Sequence, residues 1–167
     1  MATLLIMRHA KSDWTANVAD FDRPLNKRGL KNAKKMGAWL KKKKLVPDVI
    51  VSSPARRTRQ TIGLVCEQLG KDVQDIVWDD HLYETGLAEL LQVIKEHGKN
   101  ARRMLVMGHN PGLDYLVNHL SKNRPPHNIT GKLMTTAAIA VLDFGEAGID
   151  DKQGSAKVVK MARPKEI

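Results

Sequence analysis

Short apolar runs alternate along this chain with segments in which apolar residues recur every three or four positions. The short runs are typical of buried strands, and the longer spacing is typical of amphipathic helices. The predicted strands are Leu4–Met7, Val49–Val51, Ile76–Trp78, Met104–Met107, Ala137–Phe144 and Val158–Met161. The alternation predicts an α/β fold. We expect a three-layer sandwich with a mostly parallel central sheet, helices on both faces and an antiparallel strand pair near the C-terminus.

Four helices are predicted from the spacing of apolar residues and from the residues at their ends. Their apolar stripes span Leu30–Leu40, Ile62–Leu69, Leu87–Ile94 and Leu113–Leu120. Asn26 is a suitable N-cap for the first helix, which should turn Leu30 inward. For the fourth helix we expect Asn110 as the N-cap and Pro111 as the first helical residue.

The composition is that of a folded protein, with 42% hydrophobic and 28% charged residues, and it excludes a disordered or fibrous chain. A length of 167 residues without a repeat or linker predicts one domain spanning residues 1–167. The single cysteine, Cys66, cannot pair within the chain, so a reducing compartment, the cytoplasm, is expected. No apolar run has the length of a membrane span, so no membrane association is expected.

The net charge of +10 is concentrated in one stretch, since nine Lys or Arg residues and no Asp or Glu lie between Lys27 and Lys44. Such a patch could bind an acidic partner, but we favour the solvated face of a helix. A nucleic-acid-binding module is the less favoured alternative, because only 4% of the residues are aromatic and no nucleic-acid motif is present. Lys41–Lys44 could still steer an acidic protein toward the chain.

Reactive side chains follow three of the predicted strands. Arg8 and His9 follow the first, Arg56 and Arg57 the second, and His109 the fourth. Functional residues of such folds collect at the carboxyl ends of parallel strands, so these groups should converge. Two histidines and two guanidiniums suit a phosphoryl group, since guanidinium binds phosphate oxygens in pairs and neutral imidazole can attack phosphorus. This chemistry requires no metal and no cofactor.

Each of these residues alone has a plainer interpretation. A lone histidine after a strand is usually a loop residue, and Arg56, Arg57 and Arg59 could simply begin an exposed helix. Positive charge in a first helical turn opposes the helix dipole, however, and a bound anion there would relieve the conflict. Because histidines and arginines follow three predicted strands at the same edge of the sheet, their joint occurrence favours a phosphate site.

Five blocks in order carry a resemblance to a known family: Leu5–Trp14, Asp22–Gly29, Ser53–Thr61, Gly108–Gly112 and Met134–Ile139. They resemble the histidine phosphatase (phosphoglycerate mutase-like) superfamily. The third signature residue, after the Arg-His pair, is Ala10 rather than Gly, as in the SixA-type phosphohistidine phosphatase branch.

The resemblance implies roles for four residues. His9 would be the nucleophile that becomes phosphorylated, and Arg8 and Arg57 would bind the phosphoryl oxygens. His109 would complete the pocket and stabilise the transferred charge. The Ser-Pro-x-x-Arg pattern selects Arg57 over Arg56.

Two further residues are weaker binding candidates under the same resemblance. Asn110 follows the second histidine, and Lys11 could add charge at the rim or be a solvated loop lysine. Thr15 stands where mutases often have Asn, and the chain leaves little room for the insertion that shapes a small-metabolite pocket. An open site that admits a macromolecule is therefore expected.

The leaving group separates two candidate substrates. An alkyl phosphate expels an alkoxide whose conjugate acid has a pKa of roughly 16, and it benefits from a general acid. The imidazole of phosphohistidine, with a reference pKa of about 6.5, can leave neutral if it is already protonated, and then needs little help. Glu84 is the candidate acid for the first reaction, but it could equally be a helix-start carboxylate.

The expected function is a phosphatase that forms phosphohistidine on His9 and dephosphorylates phosphohistidine on a protein, such as a carrier or relay domain. The alternative is a small-molecule phosphomonoesterase of the same superfamily, acting on a phosphorylated metabolite with Glu84 as general acid. In either case we expect phosphate or sulfate to occupy the site.

Overall fold

Six strands build one sheet in the computed structural model, which describes residues 1–167. They are β1 (Ala2–Arg8), β2 (Val49–Ser52), β3 (Val77–Trp78), β4 (Arg103–Gly108), β5 (Ile139–Gly145) and β6 (Lys157–Ala162). Their order is β3-β2-β4-β1-β5-β6, with parallel pairing from β3 to β1 and antiparallel pairing of β5 with β1 and with β6. The expected mostly parallel sheet with an antiparallel C-terminal pair is confirmed.

Four helices cover the two faces of the sheet. They are α1 (Lys27–Lys42), α2 (Arg56–Leu69), α3 (Leu87–Gly98) and α4 (Gly112–Leu120). One buried apolar cluster joins the sheet to α1 and α2, and a second joins its other face to α3 and α4. The layers are therefore helix, sheet, helix. None of the helices combines the length and the apolar character that crossing a membrane requires.

The central strand β1 shows why the sequence has apolar runs rather than alternation. Leu4 and Ile6 pack against α3 and α4, whereas Leu5 and Met7 pack against α1 and α2. All four are fully buried, because a parallel sheet covered on both faces has no polar side. This packing holds the carboxyl end of β1 rigidly in the middle of the molecule.

The start of α1 is packed tightly against the chain that follows β1. Asn26 caps the helix as predicted, since its Oδ1 accepts a hydrogen bond from the backbone N–H of Gly29 at 2.8 Å. A Cβ at Gly29 would lie 2.1 Å from the carbonyl oxygen of Lys11. The helix therefore turns Gly29 and Ala33 inward and leaves Leu30 38% exposed. The prediction that Leu30 faces the core was wrong because this close approach sets the rotation of the helix.

The start of α4 also differs from the prediction. The helix begins at Gly112, with Pro111 before it, and no side chain caps it. Asn110 does not act as the N-cap, because its Nδ2 donates instead to the carbonyl oxygen of Met134 at 2.9 Å. A tertiary hydrogen bond has replaced the local one that the sequence suggested.

The lysine-rich end of α1 lies far from the carboxyl ends of the strands. The carbonyl of Lys44 accepts a hydrogen bond from Arg103 at the start of β4, at 3.3 Å. Lys41–Lys44 therefore belong to the amino-end edge of the sheet, whereas Lys27, at the other end of the helix, is near Lys11. This placement gives little support to steering by Lys41–Lys44.

Two glycine substitutions test the packing of α1. Gly29→Ala should lower the free energy of unfolding by about 1–3 kcal/mol, because the new methyl group collides with backbone. Gly63→Ala in α2, where a Cβ would meet nothing within 4 Å, should raise it by about 0.5–1 kcal/mol through helix propensity. Urea unfolding of both variants measures this, and a Gly29→Ala variant as stable as the parent would contradict the close approach.

Candidate active site

Backbone pairing places the two motif histidines side by side. Arg8 is in register with Gly108, so His9 and His109 are the next residues of neighbouring parallel strands. The N–H of His9 donates to the carbonyl of Gly108 at 3.2 Å, and the N–H of Ala137 donates to the carbonyl of His9 at 3.0 Å. The centroids of the two imidazole rings are 5.2 Å apart, with the ring planes inclined by 52°.

His9 is held as a neutral imidazole with one defined tautomer. Its side chain is buried, and Nδ1 lies 2.7 Å from the carbonyl oxygen of Ala10. A carbonyl can only accept, so Nδ1 carries the proton and Nε2 carries the lone pair. Burial, assisted by the positive charges of Arg8 and Arg57, lowers the pKa of His9 to about 3. At neutral pH the Nε2 atom is therefore an available nucleophile.

His109 is neutral as well and has a buried donor without a protein partner. Its Nε2 lies 2.8 Å from Oγ of Ser53, which also accepts the N–H of Ala55 at 3.3 Å. The Ser53 hydroxyl can donate to Nε2 in the tautomer of His109 that carries its proton on Nδ1. That atom is buried and unpaired. Burial, followed by the charge of Arg57, lowers the pKa of His109 to about 3.

Arg8 stands at the end of β1 and is anchored from one side only. Its Nη1 donates to the carbonyl of Met134 at 3.0 Å, the same oxygen that Asn110 binds. Its Nε is buried without a partner. Burial lowers the pKa of Arg8, and the nearby carboxylate of Asp114 opposes this effect. An arginine remains charged in proteins, so this edge of the site is cationic.

Arg57, rather than Arg56, belongs to the site. Arg57 is buried in the first turn of α2, where its Nη1 and Nη2 donate to the backbone carbonyl and the carboxylate of Asp20 at 2.8 and 3.2 Å. Its Nε is also buried and unpaired. Arg56 is exposed and reaches only the carbonyl of Asp22, at 3.4 Å. The cation that the motif selected is therefore the buried one.

Asp20 and Tyr83 are site residues that sequence reasoning missed. The Asp20 carboxylate accepts from the Tyr83 hydroxyl at 2.6 Å and from Arg23 at 2.5 Å, besides Arg57. These donors, Tyr83 foremost, lower the pKa of Asp20 to about 2. The Tyr83 ring stands edge-on to His109, with centroids 5.6 Å apart. Asp20 begins a single 3-10 turn, Asp20–Asp22, which has no apolar periodicity, so no sequence signal marked it, whereas Tyr83 adjoins the candidate Glu84.

Glu84 and Lys11 are exposed and make no side-chain hydrogen bond with the residues described above. Glu84 has a left-handed φ of 50° and precedes α3. The helix-start alternative for Glu84 was wrong, because Glu89 takes that place, accepting the N–H of Gly86 at 3.2 Å. Lys11 contributes its backbone carbonyl to Asn26, at 3.0 Å, and leaves its ammonium in solvent.

One group of side chains has the donor types of a metal site. Asp79, Glu96 and His97 have ligand atoms within 4.8 Å of one another. Asp79 is already engaged by His97 at 3.2 Å and by His81 at 2.9 Å. None of these residues hydrogen-bonds to the two motif histidines or their arginines, so the cluster is separate from that pocket.

The class of protein follows from this combination of fold and site. An α/β sandwich whose carboxyl edge presents an unprotonated imidazole nitrogen near two guanidiniums suits a phosphoryl group, with side chains supplying the positive charge. Sequence comparison gives the particular family. Residues 4–90 match the histidine phosphatase superfamily (branch 1), and the chain belongs to this family.

Its relatives specify the branch and the general activity. The chain is 30% identical over 148 residues to the phosphohistidine phosphatase SixA of Escherichia coli, covering 87% of each chain. It is 30% identical over 163 residues to a functionally uncharacterised Mycobacterium tuberculosis protein, covering 95% of this chain and all of that one. A solved structure of the protein histidine phosphatase SixA with tungstate superposes with a TM-score of 0.77 at 26% identity, covering 98% and 97% of the two chains. The protein is a phosphatase of the SixA-type branch.

The neutral histidines predict a characteristic pH dependence of stability. Their folded-state pKa values lie below the unfolded value of about 6.5, so the unfolded state binds more protons in acid. The free energy of unfolding should fall as the pH drops below 6.5 toward 3, by at most about 1.4 kcal/mol per pH unit for each histidine. A His9→Gln/His109→Gln variant should show a shallower fall in urea unfolding.

Imidazole ¹⁵N NMR provides an independent readout. Both rings should remain neutral at pH 5, with His9 protonated on Nδ1. Protonation of both rings near pH 6.5, with an unchanged slope in the double variant, would refute the effect of burial.

Proposed function

We propose that this phosphatase removes phosphoryl groups from phosphohistidine on a protein, through a covalent intermediate on His9. The attacking atom is Nε2, whose lone pair is free because Nδ1 donates to Ala10. The N–P bond to His9 forms as the N–P bond of the substrate breaks, and the substrate imidazole, already protonated on its second nitrogen, leaves neutral. Water then attacks phosphorus and the N–P bond to His9 breaks. Both protons of the water leave with the phosphate, as H2PO4⁻, and neutral His9 returns.

Three buried donors support the proposed binding of the phosphoryl oxygens. Nε of Arg8, Nε of Arg57 and Nδ1 of His109 have no partner within the protein. Buried unpaired donors carry a free-energy cost that a bound oxyanion removes. Asp20 already occupies the outer nitrogens of Arg57, so the phosphoryl group must share that guanidinium or displace the carboxylate. Tungstate binding by the related SixA supports an oxyanion as the ligand.

The state of Asp20 is the observation that carries the choice of substrate. Asp20 is the only carboxyl that hydrogen-bonds to any of Arg8, His9, Arg57 and His109, and its pKa of about 2 keeps it ionised. An ionised carboxylate cannot donate a proton to a leaving alkoxide. The imidazole of phosphohistidine, once protonated on its second nitrogen, leaves neutral and needs no such donor. Asp20 therefore supplies no general acid, which supports phosphohistidine over an alkyl phosphate and leaves Glu84 as the carboxyl to test.

Exposed aromatic side chains at the rim support a protein substrate. Phe21 packs edge-on against Tyr83, with centroids 5.1 Å apart, and remains 37% exposed. Trp14 is 73% exposed and lies under the guanidinium of Arg23, 3.7 Å from its ring centroid. Arg23 in turn binds Asp20. Aromatic residues are enriched in protein interfaces, so this rim suits docking of a carrier or relay domain.

The first test is the nucleophile. His9→Ala should lower turnover of a phosphohistidine protein by about 10³-fold or more and abolish the acid-labile phosphoenzyme in rapid-quench trapping. His81→Ala, which removes an exposed histidine outside the pocket, is the matched control and should retain activity. A His9→Ala variant with most of its activity would disprove the assignment. A phosphohistidine protein, a phosphohistidine peptide and a panel of phosphomonoesters should be assayed side by side, and the protein should be turned over fastest.

The second test concerns Glu84 as general acid. Glu84→Gln should change turnover of phosphohistidine by less than about threefold, because imidazole leaves without an acid. If Glu84 is an acid for alkyl phosphates, their turnover should fall far more in the same variant. Glu146→Gln, an exposed carboxyl at the opposite edge, is the control. Equal large losses on both substrates would rule out the leaving-group argument.

A further inference from the structure

A polar cleft of about 630 Å³ opens beside the phosphate pocket and shares Arg8 with it. Its walls come from the start of α1, the segment 128–136 and the C-terminal residues 163–166. Its cationic side chains are Arg8, Lys11, Arg28, Lys132, Arg163 and Lys165. The lining has one carboxylate, Glu166, and one large apolar side chain, Ile129. The cleft is thus a concentrated region of positive charge that adjoins the proposed nucleophile.

Only part of this charge is neutralised within the protein. Arg163 is buried and donates to the carbonyl of Leu133 and to Glu166, both at 3.0 Å, so the single carboxylate of the lining is paired. Four cations have neither an ion pair nor a side-chain hydrogen bond: Lys11, Arg28, Lys132 and Lys165. Cations gathered in a concave site without counterions raise the local concentration of anions.

The lining indicates what kind of anion fits. It has no aromatic platform for a nucleobase, and it lacks the buried apolar anchors that dominate protein interfaces. Ammonium groups on long side chains, together with lining residues such as Asn128 and Thr130, suit a ligand with many phosphate oxygens. Because Arg8 borders both spaces, a chain of phosphates in the cleft can extend its end toward His9.

We propose that the cleft and the phosphate pocket together bind a short linear polyphosphate, and that the enzyme hydrolyses its terminal phosphoanhydride bond. This activity goes beyond phosphohistidine as substrate but rests on the proposed nucleophile, His9. Arg8, Arg57 and His109 hold the terminal phosphoryl group, and the cations of the cleft hold the remainder.

The chemistry requires no group beyond those already described. Nε2 of His9 forms the N–P bond as the bridging P–O bond breaks, and the shortened polyphosphate departs as an anion. A phosphate oxygen with a pKa of about 6 leaves without a general acid, unlike an alkoxide with a pKa of roughly 16. Water then cleaves the N–P bond, releases orthophosphate and restores neutral His9. The ionised Asp20, which disfavours alkyl phosphates, is compatible with this leaving group.

Inorganic tripolyphosphate is the probe, assayed with EDTA by release of orthophosphate. The intact protein should release it, and an Arg28→Gln/Lys132→Gln/Lys165→Gln variant should show a KM for tripolyphosphate raised about tenfold or more. The KM for free phosphohistidine, which is too short to reach the cleft, should rise far less. The matched control is Lys41→Gln/Lys42→Gln/Lys43→Gln, which removes the same charge at the other edge of the sheet and should leave both values unchanged.

Each contrary result has a separate meaning. Competitive inhibition by tripolyphosphate without release of orthophosphate would overturn this activity while leaving the phosphohistidine assignment intact. Equal effects of the two triple variants would show that net charge, not the cleft, governs binding, and would also overturn it. If the cleft triple variant lowers turnover only of a phosphohistidine protein and not of tripolyphosphate, the polyphosphate proposal is overturned. The cleft would then bind an acidic surface of the protein substrate. If the enzyme hydrolyses tripolyphosphate as expected but no phosphohistidine substrate, the proposed function is overturned. The proposal that the cleft binds polyphosphate would then be supported.

Discussion

The in-register parallel pairing of β1 with β4 is the constraint on which the rest of the site depends. It sets Arg8 opposite Gly108, so that His9 and His109 leave the sheet as neighbours with ring centroids 5.2 Å apart. Both strands are buried on both faces, and a slip of one residue would turn each apolar side chain to the opposite helical layer. The packing that specifies the fold therefore also positions the two imidazoles.

Burial gives these groups their chemical character. Two histidines taken out of water beside two guanidiniums remain neutral, and the carbonyl of Ala10 leaves the lone pair of His9 on Nε2. The same surroundings keep Asp20 ionised, because Tyr83, Arg23 and Arg57 all donate to it. The pocket therefore combines two neutral imidazoles with a carboxylate, Asp20, that holds no proton to donate. This combination favours leaving groups that need no proton from the site as they depart.

The approach to the pocket is chemically divided. Trp14 and Phe21 form an exposed aromatic rim, whereas the cationic cleft includes Arg28 and Lys165 and shares Arg8 with the pocket. Phosphoramidates and phosphoanhydrides share the property that their leaving groups depart at neutral pH without an acid. One phosphate pocket with two differently lined approaches is therefore consistent with more than one class of phosphorylated substrate. The residues of the approaches, rather than those of the pocket, would distinguish these classes.

Sequence by itself determined the strands, the helices, the mostly parallel sheet and the convergence of Arg8, His9 and His109, because these follow from local periodicity and from the shared edge of parallel strands. Its motif also selected Arg57 over Arg56, and the structure buries the former and exposes the latter. Only the tertiary structure decided that Leu30 faces solvent. The tertiary structure alone also decided that Asn110 donates to Met134 instead of capping α4, and that the Asp20 carboxylate accepts a hydrogen bond from Arg57. The reason is physical. Each of these outcomes depends on contacts between residues distant in sequence, and such contacts outweigh a local preference worth about 1 kcal/mol without leaving a periodic signal in the chain.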